Sequence, residues 1–119
     1  MELTKNDTID FDPISVESIH QANGYLIVKM PSQPCYTQKI AAKNGEDRIP
    51  QYEVEFLVYN SKFVQNSIKL PFSTAEWEIK HPSGSRMCFL PANYSAEGPV
   101  TLIFEKGNKA TEIVGQGLN

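Results

Sequence analysis

The 119-residue sequence lacks several features that define common functional classes. It has no apolar run long enough to cross a bilayer, and one of its longest, residues 56–59, has the length of a strand. Its first residues show no basic segment followed by an apolar stretch, as a secretory signal would. Its Lys and Arg residues are scattered singly instead of forming the basic face that nucleic-acid binders use. These absences predict a cytoplasmic protein that binds neither membranes nor nucleic acid.

Motifs that carry common catalytic chemistry are also missing from the sequence. There is no glycine-rich phosphate loop, no dinucleotide-binding glycine pattern, no nucleophile elbow of the hydrolase type and no zinc-protease helix motif. Catalytic sites are often assembled from distant residues, so these absences favour a non-catalytic protein without excluding an enzyme. Neither a catalytic residue nor a cofactor is predicted.

Cysteine and histidine are scarce, with two of each: Cys35, Cys88, His20 and His81. Their number would suffice for a tetrahedral zinc site, but no two of them have the close spacing of a ligand pair. We therefore expect no metal and, since buried thiols commonly act as small apolar residues, no Cys–His nucleophile pair. The sequence does not decide whether Cys35 and Cys88 form a disulfide. His20 is expected to pack within its hairpin, and His81, beside a proline, to be solvated in a turn.

The net charge of −3 is unevenly placed along the chain. Residues 1–17 contain five acidic residues and one lysine, so this segment carries −4 and the remainder carries +1. Residues 1–12 are polar apart from a few isolated apolar positions, which predicts a mobile acidic arm before a domain spanning 13–119. Because Ile9 and Phe11 would point to one side of an extended chain, the arm could cover an edge of its own domain or contact another subunit.

The clearest local signal is the Asn23-Gly24 pair between two apolar runs. This pair predicts a two-residue hairpin turn of type I′, because both central residues of that turn need a positive φ. The cross-strand pairs that it predicts are Ala22 with Tyr25, His20 with Ile27, and Ile19 with Val28. A second hairpin is predicted between residues 100–105 and 109–114, around Gly107.

Shorter strand signals fill much of the remaining sequence. Residues 51–59 alternate apolar and acidic side chains, as a half-buried strand does. Residues 73–80 fit a strand with Trp77 and Ile79 on one face, although a capping-box pattern there would also start a two-turn helix; the strand is preferred. The weaker predictions are short strands at 67–72 and 86–90, and a loop or helical turn at 60–66.

Eight or nine short strands, separated by Pro, Gly and Asn, predict an all-β fold. With 40% hydrophobic residues, the chain can build one core of its own. We therefore expect a single-domain antiparallel β-sandwich or barrel. A parallel α/β sheet is not expected, because no segment keeps a helical period.

Aromatic residues outside the best strands give the candidate binding surface. Exposed rings near turns often mark recognition sites, although most rings in a small domain fill its core. The candidates are Phe11, Tyr36, Phe63, Trp77 and Tyr94. They favour a non-catalytic binding or interaction module, such as an assembly subunit or a small regulator, whose partner is another protein or its own copies. The alternative is a small-ligand-binding β-barrel with modest enzymatic activity.

Overall fold

A computed structural model of the chain describes residues 8–36, 51–91 and 94–119. These residues form strands and turns, and they include no apolar helix of membrane-spanning length. The strands are β1 (Thr8–Asp10), β2 (Ile14–Val16), β3 (Ser18–Ala22), β4 (Tyr25–Tyr36), β5 (Gln51–Tyr59), β6 (Lys62–Asn66), β7 (Phe72–Thr74), β8 (Glu76–Lys80), β9 (Phe89–Pro91), β10 (Ala96–Lys106) and β11 (Lys109–Leu118). The predicted all-β fold is confirmed.

Most of the strands join one large antiparallel sheet. Seven of them follow the order β8-β10-β11-β5-β4-β1-β9, while β3 adds to β4 and β6 adds to β11. Strands β2 and β7 form a separate two-stranded sheet. Among the described strands, the outer members β8 and β9 do not pair with each other, so the sheet is not a closed barrel. The predicted single-domain antiparallel architecture is confirmed in its open, sandwich-like form.

The core is built from alternate side chains of the large sheet together with those of the small one. On β5, Phe56 and Val58 are buried while Glu53 and Glu55 are exposed, which is the period of two that the sequence predicts. The small sheet contributes to the same apolar cluster through Ile14, Val16 and Phe72. Burying both inner faces in one cluster ties the two sheets together.

Both predicted hairpins are present. Asn23 and Gly24 have φ angles of 46° and 88°, and the three predicted cross-strand pairs between β3 and β4 all occur. In the second hairpin Gly107 has a φ of 63°, and Lys106 lies opposite Lys109. The strands of this second hairpin extend further than predicted, to Ala96–Lys106 and Lys109–Leu118.

The strand preferred over a helix at residues 73–80 is confirmed. The segment is extended and contains the end of β7 and all of β8. Trp77 and Ile79 are buried in the core, and β8 pairs with β10 along its whole length. The apolar alternation therefore outweighs the capping-box pattern, because each second side chain can enter the core only from an extended chain.

Two weaker predictions are wrong, and a third is confirmed only in part. Residues 62–66 form β6 instead of a loop or helical turn, because a strand exposed on both faces shows no alternation of apolar residues. Residues 67–71 are irregular, and the strand begins only at Phe72. In the segment 86–90 the strand starts at Phe89, and Arg86 forms an isolated bridge to Ile79.

The described part of the leading segment packs on its own domain. Strand β1 lies between β4 and β9, and Ile9 and Phe11 enter the core. The backbone N–H of Phe11 donates a hydrogen bond to the carbonyl of Cys88 at 2.6 Å. Residues 8–12 therefore pack against their own domain, as expected in one of the two roles of this segment.

Candidate functional site

The four candidate binding residues whose side chains the structure describes do not form one surface site. Phe11 and Trp77 are buried, at 1% and 5% exposure, so the expected surface position is wrong for both. Tyr94 is half-buried, and the Phe63 ring is exposed. The backbone of Tyr36 ends β4, and its side chain lies outside the described residues. Phe63 is therefore the candidate that the structure places most clearly on the surface.

Phe11 and Trp77 hold the leading segment against the large sheet. Their rings meet edge to face with centroids 5.6 Å apart, and Phe56 packs 5.5 Å from Phe11. The indole Nε1–H of Trp77 donates a buried hydrogen bond to the carbonyl of Phe11 at 2.8 Å. A buried indole needs such an acceptor, and the backbone of an edge-covering segment supplies it.

Tyr94 closes the rim of the core. It lines a cavity of only about 50 Å³ together with Ile9, Phe11 and Leu90, which is far smaller than the pockets that hold small ligands. Burial raises the pKa of Tyr94, and the nearby Arg86 guanidinium, 5.9 Å from the ring centroid, lowers it in part. The phenol therefore stays protonated near neutral pH and packs as an aromatic side chain.

Cys88 has the properties of a protonated thiol rather than a nucleophile. Its backbone takes a φ of 67° beside β9, and its side chain is half-buried. Burial raises the pKa of the Cys88 thiol, and the carboxylates of Asp12 and Asp10 raise it further. The reactive form of cysteine is the thiolate, which this setting disfavours.

The two histidines lie in other settings than expected. His81 is half-buried: its Nδ1 accepts the Ser83 N–H at 3.2 Å, and its Nε2 donates to the carbonyl of Glu97 at 2.7 Å. The ring thus fastens the 81–84 turn to the start of β10 instead of being solvated. His20 is exposed instead of packed, because no element covers its face of β3 within the described residues. In the described ranges, no group of three His, Cys, Asp or Glu residues is placed to hold a metal ion.

Strand β6 is the most exposed strand of the molecule. It pairs with β11 along one edge, and its other edge has no partner strand in the part of the chain that the structure describes. Every residue from Lys62 to Asn66 is exposed, including Phe63 at 38% and Val64 at 57%. Tyr59, which ends β5 just before it, is also exposed. We call Tyr59, Phe63 and Val64 the β6 patch.

The pairing of β6 with β11 contains a bulge. Gln65 lies opposite Glu112 and Phe63 lies opposite Ile113, so Val64 has no counterpart on β11. Bulges and lysines on edge strands both limit indiscriminate pairing with other chains. With Lys62 at its start, β6 is an edge that is open but protected against aggregation.

Several backbone contacts fix β6 in place despite its exposure. At its start, Asn60 adopts a φ of 46°, and the Ser61 hydroxyl donates to the Val58 carbonyl at 2.9 Å. The Asn60 N–H donates to the carbonyl of Gly24 at 3.0 Å, which ties this turn to the β3–β4 turn. At its end, the Ser67 N–H donates to the Ala110 carbonyl at 2.9 Å. These hydrogen bonds hold both ends of β6 against the domain, and a strand that is already formed lowers the entropy cost of binding.

Two sequence signals could have located β6. Asn60 is a residue that tolerates positive φ and can end a strand in a turn, and Phe63-Val64 combines two residues with high strand propensity. Both signals are weak without a buried face to impose alternation.

Comparison of the chain with protein-family models, with curated proteins and with solved structures finds no match. The geometry of β6 is therefore the main guide to function.

Proposed function

We propose that this domain is a non-catalytic interaction module that binds an extended segment of another polypeptide along β6. The observation that carries the proposal is an edge strand of five residues that is exposed at every position and displays Phe63 and Val64. An added strand would satisfy the free main-chain groups of β6, and its alternate side chains would contact the β6 patch. Main-chain hydrogen bonds would supply affinity, and the apolar contacts would supply selectivity.

The chemistry of the other candidate residues favours binding over catalysis. The raised pKa of Cys88 disfavours its thiolate, and both ring nitrogens of His81 are engaged in hydrogen bonds within the domain. Neither residue is therefore poised as a nucleophile or a base. Phe63 and Val64, in contrast, are exposed on β6.

A selection of displayed peptides tests the proposal. The probe is a library of random peptides about 10 residues long, which is enough for one added strand. We expect the selected peptides to alternate apolar and polar residues and to lose about tenfold or more in affinity for the double variant Phe63→Thr, Val64→Lys. The matched control, Met87→Lys with Phe89→Thr, changes the same numbers and kinds of exposed residues elsewhere and should bind like the parent.

Peptides that bind the parent and the β6 variant equally would contradict the proposal. Circular dichroism and thermal melting of both double variants would show that the fold is retained. Sedimentation equilibrium of the same proteins tests whether the chain binds a second copy of itself through β6. A dimer that dissociates only in the β6 variant would identify a second copy of this chain as the occupant of the edge.

A further inference from the structure

A second surface feature lies at the tip of the β10–β11 hairpin, beyond the end of β6. There, residues 68–72 and the hairpin turn enclose an open cleft of about 500 Å³. This volume is in the range of pockets that hold small ligands. The residues that line the cleft are Ile68, Lys69, Leu70, Pro71, Phe72, Lys106, Asn108 and Lys109.

The charge of the cleft is opposite to that of the whole chain. Its lining includes three lysines and no acidic residue, while the chain carries −3. Among the described residues the one ion pair within 4.0 Å is Lys29–Glu17, so Lys69, Lys106 and Lys109 have no carboxylate partner there. Within the described residues, the cleft is therefore a local concentration of positive charge without a carboxylate in ion-pair contact.

Two of these lysines face each other across the β10–β11 hairpin. Lys106 and Lys109 lie directly opposite each other where the hairpin closes, and like charges in that arrangement repel. The Lys106 ammonium also donates a hydrogen bond to the carbonyl of Ser73 at 2.9 Å, which holds it beside the cleft. An anion bound between the two ammonium groups would offset such repulsion.

The other side of the cleft is apolar. Ile68 and Phe72 are buried members of the core, and the Phe72 ring meets the Phe104 ring edge to face at 5.4 Å. Leu70 and Pro71 complete an apolar wall beside the lysines. A site that joins a fixed apolar surface to a few charged groups suits a ligand with the same two parts.

We propose that this cleft binds a small anion that carries an apolar group, with Lys106 and Lys109 contacting the anionic head. The head is a carboxylate or a phosphate, which both accept hydrogen bonds from ammonium groups. The apolar part lies against Leu70, Pro71 and Phe72. This site is separate from the β6 patch, so neither proposal depends on the other.

Fluorescence titration with anilinonaphthalene sulfonate tests the cleft, because this probe joins aromatic rings to one anionic group. We expect saturable binding of one molecule per chain, weakened about tenfold or more in Lys106→Gln with Lys109→Gln. Phenylnaphthylamine, which has the same rings without the sulfonate, should bind the parent more weakly and respond little to the two changes. Lys80→Gln, a change of another exposed lysine, is the control and should leave the titration unchanged.

The variant Lys109→Glu separates ligand binding from stability. It replaces the repelling pair with an opposite-charge pair across the hairpin, so we expect its Tm to rise by about 1–5 °C. At the same time it should abolish binding of the sulfonate probe. Loss of binding with a raised Tm supports a site; unchanged probe affinity in this variant and in the double Gln variant would overturn the proposal, as would an equal loss in Lys80→Gln.

Competition then identifies the head group. Octanoate and octyl phosphate are each added to the probe complex, with inorganic phosphate and octanol as partial ligands. Displacement of the probe by octanoate or octyl phosphate, at concentrations where inorganic phosphate and octanol do not displace it, supports a two-part site. The stronger of the two competitors shows which anionic head group the site prefers. Displacement by octanol as effective as that by the two anions would overturn the role of the lysines. Peptide binding at β6 should be unchanged in the lysine variants.

Discussion

Strands β1 and β6 are both short and lie among polar residues in the sequence, yet they differ in how many neighbours they have. β1 is hydrogen-bonded on both edges, to β4 and β9, and the phenylalanine that follows it is buried. Among the described strands β6 is paired on one edge, with β11, and its own phenylalanine is 38% exposed. Phe11 contacts Phe56 and Trp77 in the core, while Phe63 lies opposite Ile113 on β11 and stays partly in water. Burial of an isolated apolar residue is therefore decided by its strand's place in the sheet.

Truncating each of the two phenylalanines should give the largest contrast. Phe11→Ala removes a fully buried ring and its contacts, so we expect it to lower the free energy of unfolding by about 3–5 kcal/mol. Phe63→Ala removes a ring that is partly in water already, and its loss should stay below about 1.5 kcal/mol. Urea unfolding followed by far-ultraviolet circular dichroism measures both. Equal losses in the two variants would contradict the difference drawn between β1 and β6.

The closely packed crossing of β11 over the β5–β6 turn should be the next most sensitive point. A Cβ atom on Gly115 would lie 2.6 Å from Val58 Cγ1 and 2.8 Å from the carbonyl oxygen of Tyr59. We therefore expect Gly115→Ala to cost about 1–3 kcal/mol through overpacking. Gly117→Ala is the matched control, since its nearest neighbours would be 3.4 Å and 3.5 Å away. Similar stability of the two variants in urea would show that β11 shifts without cost.

The β3–β4 turn should show a smaller effect that arises from the backbone alone. At Gly24 the φ of 88° disfavours a side chain, although no atom lies within 4 Å of where its Cβ would be. We expect Gly24→Val to cost about 1–2 kcal/mol, and Gly24→Asn less, because asparagine tolerates positive φ better. Since the Gly24 carbonyl accepts the Asn60 N–H, amide hydrogen exchange at Asn60 should also increase in the valine variant. Equal melting temperatures for the Gly24→Val and Gly24→Asn variants would contradict the backbone strain expected at this positive φ.

Sequence predicts the elements whose chemistry is local and misses those decided by packing partners. The Asn23-Gly24 turn fixes its own geometry, and the alternation at Trp77 and Ile79 reports a buried face, so both were predictable. β6 has no buried face, and Phe11 is buried through a distant Trp77, so neither could be inferred from its neighbours in the chain. The cleft was equally hidden, because Lys69 and the segment around it lie more than 30 residues before Lys106 and Lys109 in the sequence and meet them only in the folded domain.

Cys88 offers the smallest effect and links the leading segment to the rest of the domain. Burial raises the pKa of the Cys88 thiol, and Asp12 and Asp10 raise it further. Because the folded-state pKa is the higher one, the folded protein holds this proton more tightly than the unfolded chain does. The stabilisation is thus fully present below the unfolded pKa and is lost as the pH rises through the folded value, in the window above the ordinary value of 9.0.

The rate of alkylation by iodoacetamide measures this pKa in a Cys35→Ser background, where Cys88 is the one remaining thiol. We expect the rate to reach half its maximum at a pH above 9.0, the ordinary value. Asp12→Asn should move that midpoint down, because it removes a negative charge that opposes the thiolate, whereas Glu78→Gln, which is not among the causes of the shift, should not. A midpoint at or below 9.0, or one that Asp12→Asn leaves in place, would mean that residues 10–12 do not lie against Cys88 in solution. Such a result would return the leading segment to the role of a mobile arm and remove the contrast between β1 and β6.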